Sequence, residues 1–294
     1  MSDLPLVTAV VTLYNRERYI LECLGSINAQ DYPNLEIVVV DDGSTDKGPE
    51  LVRGYKSRVP LVLISQANAG VSAAMNTGVK YANGKYLVVP DCDDMLLPGA
   101  VSAFVEHLEA NPRCGIVEGQ LVRMDGDSKL IKPEASKKLR PARSLRFNEV
   151  FEGAIPCAGP WSCIRKQAIL DTGGYREDIK TQDMQMTMAI TRLGYTADRI
   201  ARNTLLYRVH DGNLSKNSLA NIYKDFQIAE IYKFLPNVYK FKRSAVLQSM
   251  RNELRARDRK MAFIVLWHIP LKHWNFKTLR FFRRALFMRA KKCK

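Results

Sequence analysis

The chain has 294 residues and a mass of 33.4 kDa, enough to bury a full core without disulfide or metal staples. Apolar residues at 46% and charged residues at 26% exclude disorder, collagen and coiled coil as descriptions of the whole chain. The formal net charge of +15 is unevenly placed: residues 219–294 carry 19 basic and 4 acidic side chains, while residues 1–218 carry 26 of each.

At the N-terminus, MSDLPLVTAVV lacks the basic region and small-residue cleavage site of a signal peptide. No run reaches the ~18 apolar residues of a spanning helix, so a cytoplasmic protein is expected. The first 90 residues then alternate in type. Leu6–Leu13, Leu35–Val40, Leu61–Ile64 and Tyr86–Val89 are short apolar runs rich in β-branched residues, as buried parallel strands require. Between them, Glu17–Ala29, Pro49–Tyr55 and Val71–Tyr81 have helical spacing, with Ile20, Leu21, Leu24 and Ile27 on one face of the first. The series predicts an α/β, doubly wound sheet with ligands at the carboxyl ends of its strands. Six cysteines, Cys23, Cys92, Cys114, Cys157, Cys163 and Cys293, form no CxxC pair, so reduced thiols are expected.

Each predicted strand runs into a polar loop. Tyr14-Asn15 follows the first, Asp41-Asp42-Gly43-Ser44-Thr45-Asp46 the second, Gln66-Ala67-Asn68-Ala69-Gly70 the third and Asp91-Cys92-Asp93-Asp94 the fourth. Acids at 41, 42, 91 and 93 on one sheet edge repel each other unless a cation or a donor-rich ligand lies between them. Hard carboxylate oxygens favour Mg²⁺ or Mn²⁺, and a divalent ion at a diphosphate stabilises a phosphate leaving group. Taken singly, DDGSTD reads equally as a turn and helix cap, and Asn68 and Gly70 as turn chemistry.

The ordered run VVTLYNRERYILECLGSINAQDYPNLEIVVVDDGSTD followed by NAGVSAAMNTGVKYANGKYLVVPDCDD resembles the inverting nucleotide-sugar glycosyltransferases of family 2, non-processive and of the bacterial surface-glycan type. The resemblance covers about residues 5 to 215. It implies a GT-A fold, Rossmann-like, with a mainly parallel central sheet flanked by helices, over residues 1–218, and a helical extension over 219–294. It also implies a metal-dependent hexosyltransferase. A single sugar would pass from a UDP-, GDP- or dTDP-sugar to an acceptor hydroxyl on a glycan or lipid-linked glycan, with inversion, in lipopolysaccharide, capsule or exopolysaccharide synthesis.

By the resemblance, Tyr14, Asn15, Asp41, Asp42, Asn68, Gly70 and Asp91 meet the donor nucleotide, and Asp91 and Asp93 form a DxD motif whose last acid touches Mn²⁺ or Mg²⁺. Further on, TGGYREDIKTQDMQ places Gln182-Asp183 where the family usually has Glu-Asp, which makes Asp183 the general base. A direct displacement needs a carboxylate to take the acceptor proton; the alternative is that Asp183 only caps the helix Met184–Leu193. His210 is a candidate to complete the metal's coordination, Arg208 to neutralise phosphate charge, and Trp161 either to stack on a sugar or to anchor the core. A nucleotidyltransferase would carry a glycine-rich loop where YNRERY stands, and a non-catalytic nucleotide-sugar binder would be expected to lose an acid.

The tail reads as helices broken at Pro236 and Pro270, with SAVLQSMRNELRARDRKMAFIVLW as one of them. Near the end, Phe276, Leu279, Phe282 and Leu286 form a stripe beside Lys277, Arg280 and Arg284, with Phe281 off it. Basic and bulky apolar residues together suit an anionic membrane surface, which would make the protein peripheral at the inner face of the cell membrane. A solvated helical cap is the alternative, and nucleic acid is not expected because no recognition motif accompanies the charge.

Overall fold

A computed structural model describes residues 4–133, 138–152, 159–179, 181–210 and 218–287. In chain order the first unit holds β1 (Val7–Leu13), α1 (Ile20–Asn28), β2 (Leu35–Asp41), α2 (Gly48–Gly54), β3 (Leu61–Ser65), α3 (Val71–Tyr81), β4 (Tyr86–Val88), β5 (Met95–Leu96), α4 (Ala100–Ala110), β6 (Cys114–Asp125) and β7 (Arg143–Leu145). After α5 (Phe147–Phe151) come β8 (Ser162–Arg165), α6 (Lys166–Asp171), α7 (Gln182–Arg192) and β9 (Thr196–Val209). The remainder is helical: α8 (Ser218–Ile231), α9 (Val238–Ala256), α10 (Arg259–Leu266), a 3-10 turn at Leu271–His273, and α11 (Phe276–Leu286).

One mixed sheet runs β3-β2-β1-β4-β8-β6-β9-β5, with β7 on β9. The β3-β2-β1-β4 half is parallel, in the registers Ile37↔Leu61, Val7↔Leu35 and Val7↔Tyr86. Antiparallel β8 then joins β4 to β6, and β6 and β9 run parallel as the two longest strands. The parallel half follows from the buried apolar runs read in the sequence. Its antiparallel half rests on β5, β7 and β8, two to four residues each, too short to stand out as hydrophobic runs.

The core collects β1, β2, β4, α1 and α4: Ile20, Leu24, Ile27, Ile37, Val39, Val101, Phe104 and Leu108 are fully buried. Each such side chain contributes roughly 1.5–3 kcal/mol by leaving water. Cys23, Cys92, Cys114 and Cys163 are free, buried thiols; Cys157 and Cys293 lie outside the described residues. Compact units divide the chain as 1–147 with 156–211, and 148–155 with 212–294. In the second unit, Phe151 stacks on Phe241 at 5.7 Å and meets Tyr232 edge-on at 5.9 Å, which brings 148–152 into a unit that the sequence reading began at 219.

Two expectations for the helices change. The helix expected over 244–267 is two, because Arg257 takes a left-handed conformation (φ 58°) and Asp258 caps α10 by accepting from Met261 N at 2.8 Å. In α11 the buried stripe is Thr278, Phe281 and Ala285, so Phe281 points into the core while Phe276, Leu279 and Leu286 are exposed. Both sets have helical spacing. Which one neighbouring helices cover is a tertiary outcome.

Candidate active site

Loops leave the carboxyl ends of β1 to β4 on one edge of the sheet, and hydrogen bonds join them into a surface. Asn15 adopts φ 49°, a conformation asparagine tolerates, and stitches the first loop to the second. Its amide N donates to Ser44 Oγ at 3.1 Å, and its Oδ1 accepts from Thr45 N at 2.8 Å. Beside this, Glu17 N donates to Asp46 Oδ2 and Lys47 N to Glu17 Oε2, both at 2.8 Å. Asp41, buried, closes its own turn by accepting from Ser44 N at 2.9 Å.

Asp42, also buried, organises the third loop. Its carboxylate accepts from Gln66 Nε2 at 2.8 Å and from Ala69 N and Gly70 N at 2.9 Å, while Asn68 Nδ2 donates to the Asp42 carbonyl at 2.9 Å. Gly43 (φ 76°) makes this approach possible, since a Cβ there would lie 2.8 Å from Asn68 N. Tyr14, Asn68 and Gly70 are exposed along this edge.

At the end of β4 the acids crowd together. Asp91, Asp93 and Asp94 each offer a carboxylate oxygen within 4.8 Å of the others. Burial, then the charges of Asp93 and Asp183, push Asp91 up to about 7. Burial followed by Asp91 and Asp93 drives Asp94 well above the usual carboxylate range, and its buried Oδ2 has no hydrogen-bond partner among the described residues. An orphaned carboxylate oxygen beside two further acids is the donor set a hard divalent cation takes, so these residues fit Mg²⁺ or Mn²⁺. Asp93 Oδ2 lies 2.9 Å from His210 Nε2 and 3.3 Å from Arg16 Nε. His210 in turn stacks on Tyr19, centroids 5.2 Å apart. Sequence reasoning passed over Arg16 and Tyr19, although YNRERY places both within a turn or two of β1.

Asp183 sits in the first turn of α7. Asp91 and Gln182 line one small cleft with Thr12, Met75, Val89 and Tyr175, and the charge of Asp183 reaches both Asp91 and the Tyr175 phenol. The N-cap residue Thr181 makes no side-chain cap, while Asp183 Oδ1 accepts from Met184 N at 2.8 Å. Side chains of α3 and α7 hold the preceding loop. Asn76 exchanges two hydrogen bonds of 2.8 Å with Tyr175, Ser72 donates to the Ile179 carbonyl at 3.0 Å, and Gln185 Oε1 accepts from Arg176 N at 2.8 Å. Ser72 and Asn76 belong to the NAGVSAAMN run and looked only like a helix start.

Arg208 departs from its expected role, and Trp161, open to two readings, takes the second. Arg208 has no exposed surface and faces inward. Its backbone N donates to Asp94 Oδ1, its Nε to the Asp93 carbonyl and its Nη2 to Glu22 Oε2, all at 2.8 Å, and its guanidinium lies 4.6 Å from the Tyr19 ring. A guanidinium so enclosed braces the acid loop from behind instead of neutralising phosphate. Trp161 is an anchor: its indole N–H donates at 2.8 Å to buried Glu118, which pairs with Arg199 at 2.5 Å, and its ring packs on the core. Residues 211–217, which follow His210, lie outside the described residues.

The family model "Glycosyl transferase family 2" matches residues 8–173, ending before Asp183 and His210. EpsJ of Bacillus subtilis, an uncharacterized glycosyltransferase, is 33% identical over 156 residues, 49% of this chain and 45% of that protein. Poly-beta-1,6-N-acetyl-D-glucosamine synthase of Staphylococcus aureus is 25% identical over 197 residues, 66% of this chain and 48% of that protein. The matches thus span less than half the length of either relative. Among solved structures, S. aureus TarS with UDP-GlcNAc aligns with a TM-score of 0.62 at 16% identity, covering 95% of this chain and 81% of that one. The mannosyltransferase PcManGT from Pyrobaculum calidifontis, with GDP-Man and Mn²⁺, aligns at 0.64 and 21% identity, covering 97% and 87%. These two likenesses are of fold. With the matched segment covering β1 to α6 and the sheet that of GT-A enzymes, the chain belongs to glycosyl transferase family 2.

Proposed function

We propose that the protein moves one hexose from a nucleoside-diphosphate sugar to an acceptor hydroxyl with inversion at the anomeric carbon. The observation that carries this is the nearness of two acids: Asp91 lines the cleft with Gln182, and Asp183, the next residue in α7, lies close enough for its charge to act on Asp91. Asp183 takes the proton from the acceptor hydroxyl, the one proton transfer an inverting displacement requires. Asp91, Asp93 and His210 would hold Mn²⁺ or Mg²⁺, beside the orphaned Asp94 oxygen. A divalent ion bound there supplies charge neutralisation at the diphosphate leaving group. Tyr14 and Asp41 meet the nucleoside, and Asn15, Asp42, Asn68 and Gly70 shape its pocket through the bonds that join the first three loops. Arg16, 3.3 Å from Asp93, adds a donor for the diphosphate.

Residues 1–218 form the catalytic domain in this reading. The acceptor is a glycan or lipid-linked glycan destined for the cell surface, as the name of the polysaccharide-synthase relative suggests. The basic region 219–294 associates with the inner face of the membrane. No helix among the described residues is long and apolar enough to cross one.

The test is a screen of UDP-, GDP- and dTDP-sugars with purified protein, following nucleoside diphosphate release with and without Mn²⁺. Release from one nucleotide class, enhanced by an acceptor glycan, is expected. A nucleotide-sugar that binds and is never turned over, with any acceptor, would leave a binding protein and defeat the reading.

A further inference from the structure

The second unit carries a helix face that its own packing leaves open. Its core buries Ile222, Val246, Met250, Val265, Phe281 and Ala285. Helix α11 contributes Phe281 and Ala285 to that core. Its outward residues fall at i, i+3, i+4, i+7, i+10 and i+11 from Phe276: Phe276, Leu279, Arg280, Arg283, Leu286 and Phe287, all exposed. Phe276 is 82% exposed and Phe287 74%. The chain just before it is similar, with Trp267 70% and Leu271 66% exposed. A solvated cap turns its polar side outward, whereas four of these six residues are Phe or Leu.

Charge selects the occupant. No acidic residue occurs from Arg259 to the end of the sequence, and Lys277 and Arg284 flank the face. A second copy would set arginines against arginines, which opposes self-association through this face. Guanidinium groups beside Phe, Leu and Trp are what a bilayer interface of anionic lipid accepts, the rings entering the headgroup region and the cations pairing with phosphate.

We infer that the α11 face formed by Phe276, Leu279, Arg280, Arg283, Leu286 and Phe287 lies in the headgroup plane of an anionic membrane. This rests on the membrane reading proposed above and assigns it to particular residues. It also explains why α11 buries the narrower Thr278, Phe281, Ala285 stripe and exposes the wider apolar one.

The full-length protein is sedimented with vesicles of phosphatidylcholine alone and of phosphatidylcholine with phosphatidylglycerol. Binding only to the anionic vesicles is expected. Phe276→Ser with Leu279→Ser and Phe287→Ser is expected to weaken partition at least about tenfold, because these side chains supply the salt-resistant part. Arg280→Gln with Arg283→Gln is expected to cost about fivefold per arginine at low salt and less at high salt. All the changed residues are exposed, so circular dichroism and the melting midpoint are expected to stay as in the wild type. A separate Phe287→Trp variant is expected to shift its emission to the blue on anionic vesicles. Wild-type protein that ignores both vesicles overturns the membrane reading itself. Wild-type binding that both multiple variants retain, or a Phe287→Trp emission that does not move, overturns the assignment to α11 alone. Dimerisation of the wild type on a sizing column, lost in the serine variant, would assign the face to a second copy and overturn the inference. Nucleoside diphosphate release in solution is read in parallel, so loss of membrane binding is distinguished from loss of the catalytic unit.

Discussion

Arg208 Nη2 donates to Glu22 Oε2 at 2.8 Å, tying the end of β9 to α1 behind the acid loop. The guanidinium is fully buried, while the Glu22 side chain is 43% exposed. Removing the arginine therefore lets Glu22 rehydrate but strips the Asp93 carbonyl and Ser128 Oγ of their bonds to it. Arg208→Met is expected to lower unfolding stability by about 2–4 kcal/mol, between the cost of a buried orphaned polar group and that of a broken buried pair. A shift of the urea midpoint worth less than about 1 kcal/mol would show that Arg208 is no brace.

The same pair sets a pH dependence. Partial burial works against Glu22 ionisation, yet hydrogen bonds from Ser128 and Arg208, then the charges of Arg208 and Arg18, hold its carboxyl below the ordinary 4.5. A carboxylate depressed in the folded state contributes stability above its unfolded value and loses it as pH falls through the folded one. The stability gap between wild type and Glu22→Gln is expected to be largest near neutrality and to close on acidification below pH ~4.5. Because the group is exposed, added salt shrinks the gap as well. A gap that widens on acidification would contradict the assignment.

Asp93 is the acid that both His210 and Arg16 approach. Asp93→Asn keeps its shape and removes the charge a divalent ion requires. Calorimetry is expected to find Mn²⁺ binding weakened at least about tenfold, and turnover lost. EDTA is expected to silence the wild type until Mn²⁺ or Mg²⁺ is restored. Undiminished activity in EDTA would remove the metal from the mechanism.

Asp42 accepts three N–H donors with one carboxylate. Asparagine can keep one oxygen for Gln66 Nε2 and Ala69 N but then turns its NH₂ toward Gly70 N, so that bond is lost to a donor–donor clash. Asp42→Asn is expected to cost roughly 1–3 kcal/mol of local order in the 66–70 loop. On the proposed reading, in which this loop meets nucleotide and not the reacting carbon, the donor KM should rise several-fold while kcat changes little. Protection of Ala69 and Gly70 amides from exchange reports the same loss directly.

The parallel half of the sheet was readable because β1, β2 and β4 are apolar on both faces and each ends in a polar turn. Asp91, Asp93 and Asp183 stood at element boundaries; in the structure Asp91 lines a cleft, Asp93 lies beside it in the acid loop, and Asp183 stands in the first turn of α7, where its charge reaches Asp91. Depth was not readable. Arg208 stands at the end of a strand, where a phosphate ligand could also stand, and only the closure of Glu22, Ser128 and Tyr19 around it reveals its direction. Asp42 likewise stands in an acidic turn, yet its partners arrive from 24 to 28 residues away, a separation that no local pattern encodes. The α9–α10 break escaped notice because it uses a left-handed arginine where a glycine or proline would have signalled it.

The last prediction separates two roles for Asp183. Its Oδ1 accepts from Met184 N, a bond that asparagine reproduces, so Asp183→Asn leaves the start of α7 capped and the side chain in place. What asparagine cannot do is take a proton. If Asp183 is the base, kcat falls roughly 10²-fold or more with donor affinity nearly unchanged, the scale of general base catalysis. Melting should move by less than about 1 kcal/mol, because the cap survives. A structural residue would give the reverse, a lower melting point and weaker donor binding with normal turnover at saturation. Asp183→Ala tests the remaining ambiguity: it loses the cap as well, so its stability should fall below that of the asparagine variant while its kcat falls no further.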